Sequence, residues 1–275
     1  MSGYILCQVK KAEKPFFIEN ISTNIYSIEE LCYYLYNNLY LIDSSLINQK
    51  LCTWIEEELE LPKLAAKLRP YIGRDAGLEE ILYPVFKEIN YLAYEELRSL
   101  NARIETRNAE AEEIREKRKG DSLMENRMYV NAIRVYQKLI EKKDAAAISD
   151  EMRERIFHNQ GCAYSYLFQM DKALDCFWNA WQVKKSEEAL KTYLLAYRSV
   201  HTQEDFGKTE DELKVEESMR KEISETLDRF ASLPRKQGRQ TVFWKISQEN
   251  ITEVQAHDES PSRSPSRICR ASFCV

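Results

Sequence analysis

The tightest constraint on this chain is a set of small and aromatic residues at fixed spacing: Phe157, Gly161 and Tyr164, then Ala173, Phe177 and Ala180. In both trios the positions follow i, i+4 and i+7, which puts each trio on one face of a helix. The spacing predicts a helical hairpin. Gly161 lets the first helix approach its partner, Ala173 supplies the small contact opposite it, and Tyr164 and Phe177 fill the wedge between the two helices.

Read together, these residues resemble a tetratricopeptide repeat, whose pattern is an aromatic, Leu-Gly and Tyr in the first helix, then Ala, an aromatic and a small residue in the second. Phe157 stands for the usual Trp, Gln160 replaces the Leu, and Lys185 sits where a closing Pro is common. A weaker copy runs upstream through Gly120, Leu123, Tyr129, Ala132, Tyr136 and Leu139. Gly120 and Gly161 lie further apart than the repeat period of about 34 residues, and the surplus falls in a loop around Asp144 to Asp150. Ser186 to Val200 reads as a further first helix. Thr209 to Phe230 reads as its long amphipathic partner, opened by a Thr209/Glu212 capping box, and the pair would act as a terminal cap.

The resemblance implies protein binding in a concave groove lined by the first helix of each hairpin. Carried onto this sequence, the groove positions are Arg155, His158, Asn159, Cys162, Ser165 and Tyr166, with Lys117, Asp121, Met124 and Glu125 from the upstream copy. Some members of that family clamp a peptide's terminal carboxylate with Lys and Asn, and Lys117 and Asn159 fall at two such places. Asp121 departs from the clamp because it would repel a carboxylate, and Ala189 and Tyr193 replace the basic residues of the next helix. Trp178 and Trp181, three apart beside Phe177, read as packing between hairpins rather than as an exposed anchor.

Composition narrows the classes further. With 275 residues, 44% hydrophobic and 31% charged, and only seven glycines and seven prolines, the chain suits a largely helical protein with ample core. No stretch approaches the roughly 18 uncharged apolar residues of a membrane span, and Met1 to Lys11 lacks the pattern of a secretory signal, so a cytoplasmic protein is expected. The net charge of −5 gives the whole molecule no strong pull towards nucleic acid. Seven scattered cysteines without a Cys-x-x-Cys pair read as reduced thiols, with Cys7, Cys32, Cys52, Cys162 and Cys176 among apolar neighbours. His158, His201 and His257 have no ligand-spaced Cys or His beside them, so no metal site is expected. Phosphate-binding glycine loops and the nucleophile elbow are missing from the sequence, so no cofactor and no enzyme activity are expected. Glu56, Glu57, Glu58 and Glu60 read as a solvated helix face before paired catalytic carboxylates.

Ahead of the repeats, Tyr4 to Val9 and Phe16 to Ile21 suggest a small β-hairpin. Ser27 and Glu30 form a capping box, stapled by Tyr26 and Leu31, that starts the first helix at Ile28. The helix carries Leu31, Tyr34, Leu35, Asn38 and Leu39 on one face, with Tyr33, Tyr36 and Tyr40 elsewhere, and reads as buried. Asp43 is placed to cap a second helix through Leu59, and Pro62 fits the first turn of a third. After a break at Gly73 to Gly77, Pro84 must open or kink the next helix, and Ile89, Leu92, Ala93, Leu97 and Leu100 mark an apolar stripe. Asn101 to Lys119 is either an exposed repeat helix or a helical bridge, supported by Glu110, Glu113 and Lys117. The Ser-Pro-Ser-Arg repeats between His257 and Val275 predict a disordered tail.

The expected architecture is therefore all-α: an N-terminal helical domain over 1–100 with a hairpin at 4–21, tetratricopeptide-like hairpins over 101–232, and a flexible tail over 233–275. The expected role is a non-enzymatic adaptor that holds a peptide or helix of a partner protein. The rival is a regulator that binds nucleic acid through residues 1–100, with the repeats as sensor or dimeriser; an enzyme of unrecognised type stands third.

Overall fold

A computed structural model of the chain describes residues 10–43, 46–74, 77–141 and 148–231. They form twelve α-helices and one two-stranded sheet. The fold class is all-α with a small β-hairpin. Contacts divide the chain into two compact units that part at Arg127 and Met128.

In the first unit, β1 (Phe16–Ile18) pairs antiparallel with β2 (Thr23–Ile25), with Phe17 opposite Asn24. The expected hairpin thus has Thr23–Ile25 as its second strand, because Ser22 takes a left-handed φ of 48° and turns the chain directly after Phe16 to Ile21. Tyr4 to Val9 lies outside the described residues.

Helix α1 (Ile28–Asn37) begins where the capping box predicts. Ser27 Oγ accepts the Glu30 amide at 3.2 Å, while the Glu30 carboxylate accepts from Tyr26 N–H. Its end comes earlier than the apolar face implies. Asn38 closes the helix by donating its side-chain amide to Tyr34 O at 3.0 Å, and Leu39–Leu41 continue as a 3₁₀ turn. The cap of α2 (Gln49–Glu57) is Asn48, whose Oδ1 accepts from Leu51 N–H at 2.9 Å, and not Asp43. A turn through Leu46 to Asn48 separates Asp43 from the first helical residue.

Pro62 opens α3 (Pro62–Leu68) as expected, since a missing N–H costs nothing at that position. Of the two expectations for Pro84, opening the helix is ruled out, because Pro84 lies inside α4 (Leu78–Glu88). The stripe from Ile89 to Leu100 is not one helix. Asn90 takes φ 48°, Tyr91 N–H closes back to Phe86 O at 2.9 Å, and α5 (Tyr94–Ala109) starts afresh with Glu96 accepting from Ala93 N–H at 2.8 Å. A second break at Glu110 and Ala111 precedes α6 (Glu112–Glu125). Glu110 therefore sits between helices, where its carboxylate meets Arg118 Nε at 2.8 Å. One continuous core runs through the unit from Ala12 to Ile104, with Ile28, Leu51, Leu64, Leu82 and Leu100 all buried.

In the second unit α7 (Tyr129–Glu141) packs on α8 (Asp150–Tyr166), and α8 packs most extensively on α9 (Met170–Lys184). Three residues, Leu167 to Gln169, join α8 and α9, with Phe168 at φ 59°. The space that a Cβ on Gly161 would need is filled by the Phe177 ring, whose Cε1 would lie 2.6 Å away. Gly161 thus makes room for that ring, and Ala173 and Ala180 are buried on the same partner helix.

Helix α10 (Glu187–Val200) is capped by Ser186, as expected of a further first helix. The long partner expected from Thr209 to Phe230 is instead two helices, α11 (Gln203–Glu212) and α12 (Glu217–Ala231). Thr202 caps α11, while Thr209 is interior and donates its hydroxyl to Asp205 O at 3.0 Å. Lys214 at φ 54° and a Val215 N–H bond to Glu210 O at 3.0 Å end α11 without any Gly or Pro. A second core of Leu194, Leu195, Phe206, Val215 and Ile223 holds α10, α11 and α12 together.

Candidate functional site

The expected groove residues fall into both units. Lys117, Asp121 and Met124 lie on α6 of the first. Lys117 Nζ meets Asp121 Oδ2 at 2.7 Å, one turn away, and Met124 is buried. Asp121 therefore neutralises the cation that a carboxylate clamp would need.

The other six lie on α8. Its C-terminal half is buried nearly all round, and Cys162 and Ser165 belong to that interior, at 1% and 6% exposure. Neither presents a surface to a peptide. Ser165 Oγ donates to Gly161 O at 2.8 Å, and burial pushes the Cys162 thiol up to about 12, so it is a packed group and not a reactive one. Asn159 donates to Tyr136 Oη at 3.5 Å, and Tyr166 stacks on Tyr129 with centroids 4.4 Å apart. Arg155, half-buried, pairs with Glu151 at 3.0 Å.

His158 faces the Phe177 ring across the hairpin, at 5.7 Å between centroids. The residue keeps part of its surface, but its Nε2 is sealed from solvent and has no partner. Burial pushes it down to about 4, so it is neutral at physiological pH.

A different surface stands out on α9 and α10. Trp181 and Trp178 sit 4.8 Å apart, Trp178 meets Tyr193 at 5.1 Å, Tyr193 meets Tyr197 at 5.8 Å, and Tyr197 stacks flat on His201 at 3.7 Å. All five are half-buried, so the row is anchored below and open above. The Lys185 ammonium covers one end, 3.6 Å from the Trp181 centroid and 5.9 Å from that of Trp178. Lys185 reaches it because its own backbone turns left-handed, φ 55°, as it leaves α9. The signal was present in the sequence: Tyr193, Tyr197 and His201 recur every four residues, and Trp178 and Trp181 share a face of the preceding helix.

Further sequence expectations resolve individually. Cys32, Cys52, Cys162 and Cys176 are buried free thiols, and Cys7 lies outside the described residues. Glu57 and Glu60 are exposed and Glu56 and Glu58 partly so, as expected of a solvated face, and Glu56, Glu58 and Glu60 engage Arg69, the Lys14 amide and Lys10 respectively. Among the described residues no group of His, Cys, Asp and Glu is placed to hold a metal ion, and no helix is long and apolar enough to cross a membrane. No protein-family model, curated protein or solved structure matches the chain.

Proposed function

We propose that this chain is a non-enzymatic adaptor that holds a helical segment of a partner protein on its second unit, in the manner implied by the tetratricopeptide-like residues of the α8–α9 hairpin. The observation that carries the reading is the half-open aromatic row on α9 and α10. Tyr193 and Tyr197 lie one turn apart on α10, about 6 Å along its axis, the same interval as the i and i+4 anchors of an amphipathic partner helix, and His201 at the helix's C-cap extends the row. Trp and Tyr supply large contact area with few rotors to freeze, which is why such residues concentrate binding energy. Lys185 at the end of the row favours an acidic residue on that helix.

The intact chain is compared in affinity capture with Tyr193→Ala/Tyr197→Ala and with Lys117→Ala, after thermal melts show that all three fold. A captured protein is then reduced to a synthetic helix and its affinity measured. Loss of at least about 30-fold in the tyrosine variant, with Lys117→Ala unchanged, supports the reading, because truncating a binding hot spot removes about 2 kcal/mol or more. Equal binding by all three removes the row from the site. Steeply salt-dependent capture of nucleic acid by all three favours the regulator reading instead.

A further inference from the structure

Within the first unit, arginines gather where α5 turns into α6. Arg107 and Arg118 both place their guanidinium carbons over the Tyr40 ring, at 6.0 and 5.7 Å from its centroid. A single carboxylate sits among them. Glu110, mostly buried, meets Arg118 Nε at 2.8 Å and also accepts from the Tyr40 hydroxyl at 3.0 Å. Arg107 is left undersupplied: its Nε is sealed from solvent without a hydrogen-bond partner. Arg115, one turn before Arg118, forms no ion pair among the described residues and is close enough to repel Arg107. Burial first, and then the Arg115 charge, hold Arg107 below the ordinary arginine range, while Glu110 and Glu79 act in the opposite sense.

Among the described residues Arg107 and Arg115 therefore make no ion pair, while the Glu110 carboxylate is shared between Arg118 and the Tyr40 hydroxyl. Neighbouring guanidiniums without a carboxylate repel one another, and the group that best compensates them is an anion with several oxygens arranged to take paired N–H donors. A phosphate dianion, free or as a monoester, fits that description, because it presents at least three acceptor oxygens and guanidinium forks match them two at a time. We propose that Arg107, Arg115 and Arg118 form a binding site for a phosphate dianion, with the Tyr40 ring in contact with the guanidiniums of Arg107 and Arg118. The dianion is either free inorganic phosphate or the phosphomonoester of a phosphorylated serine on a protein.

The test uses the full chain and two probes, inorganic phosphate and a neutral peptide carrying one phosphoserine, with the unphosphorylated peptide as control. Binding is read by calorimetry and by chemical-shift changes of arginine side-chain N–H groups. Three variants are compared: Arg107→Lys, which keeps the charge and loses the fork; Arg115→Gln, which leaves Tyr40 covered; and Lys191→Gln in the second unit as a control for charge alone. Circular dichroism melts establish that each folds. The expected result is binding of at least one phosphorylated probe by the wild type and by Lys191→Gln, weakened at least tenfold in both arginine variants. Tighter binding of the phosphopeptide than of phosphate assigns the source to a protein, and equal binding assigns it to the free ion. The proposal fails if neither probe binds at millimolar concentration, if the arginine variants bind as the wild type does, or if the unphosphorylated peptide binds equally well.

Discussion

The core of the first unit and the α8–α9 hairpin of the second solve the same packing problem by opposite means. The first fills space with large aliphatic side chains, Ile28, Leu51, Leu64, Leu82 and Leu100, drawn from five helices into one continuous cluster. The hairpin removes side chains instead: Gly161, Ala163, Ala173 and Ala180 are all buried there, and the Phe177 ring enters the space that Gly161 leaves. Large side chains convert buried area into stability and accept substitutes of similar volume. Small ones set how near two backbones come, and they accept nothing larger. The first unit should therefore be sensitive to truncation, the hairpin to enlargement.

The largest effect expected of this contrast is in the first unit. Leu82 is fully buried on α4, and Leu82→Ala should cost about 2–5 kcal/mol through lost transfer energy and the cavity left behind. Denaturant unfolding followed by a probe in the first unit measures it. Leu82→Met, which keeps the volume, should cost less than about 1.5 kcal/mol. Equal losses for the two would mean that shape, and not volume, governs this core.

Acid provides the next test, directed at the hairpin alone. His158 has its folded value pushed down to about 4 from an ordinary 6.5, so the unfolded chain binds a proton that the folded chain refuses. Stability is unaffected above about pH 6.5 and falls as the pH drops from there towards 4, by at most about 3 kcal/mol. His158→Leu should flatten that part of the profile, because the proton then has no site in either state. Carboxylates elsewhere titrate in the same window in both proteins, so the difference between the two profiles is the measurement. Identical profiles would mean that the ring opens to water more readily than its contact with Phe177 implies.

Gly161→Ala follows in size. The added methyl would stand 2.6 to 3.0 Å from three atoms of the Phe177 ring, and that ring is 2% exposed, with little room to turn away. A loss of about 1–3 kcal/mol is expected, even though alanine is the better helix former by about 1 kcal/mol. Combining it with Phe177→Leu should cost less than the two single losses added together, since the smaller partner relieves the clash. Strict additivity would break the claim that this glycine exists to admit that ring.

The same contrast explains what could be read from the sequence. The α8–α9 hairpin was legible because a buried glycine between aromatics has few other uses, and α1, α3 and α10 were legible because Ser27, Pro62 and Ser186 signal helix starts. Helix ends were not. Glu60, Asn90, Phe168, Lys185 and Lys214 all adopt left-handed φ values where glycine would be the readable choice, and the chain has only seven glycines to use. Each such residue is strained locally, on the order of 1 kcal/mol, and held by the tertiary structure around it. The break after Glu212 and the break at Asn90 were therefore invisible to periodicity. The aromatic row was missed for another reason. Its residues come from two helices, and Tyr193 and Tyr197 look like core until Trp178 is placed beside them.

Helix caps give the finest comparison between the units. In the first, Asn48 caps α2 by accepting from the Leu51 amide, and Asn48→Ala should cost about 1 kcal/mol. In the second unit Ser186 caps α10 by accepting from the Ala189 amide at 3.3 Å and also donates its hydroxyl to Glu154 on α8. Ser186→Ala removes both bonds and leaves Glu154, a mostly buried carboxylate, with Lys184 at 3.7 Å as its ion-pair partner. It should therefore cost more than Asn48→Ala, by a few tenths to about 1 kcal/mol. The order Ser186 before Asn48, measured in one series of chemical melts, tests whether the bond from Ser186 to Glu154 strengthens the attachment of α10 to α8. A reversal would show that the Ser186–Glu154 contact adds nothing to that attachment.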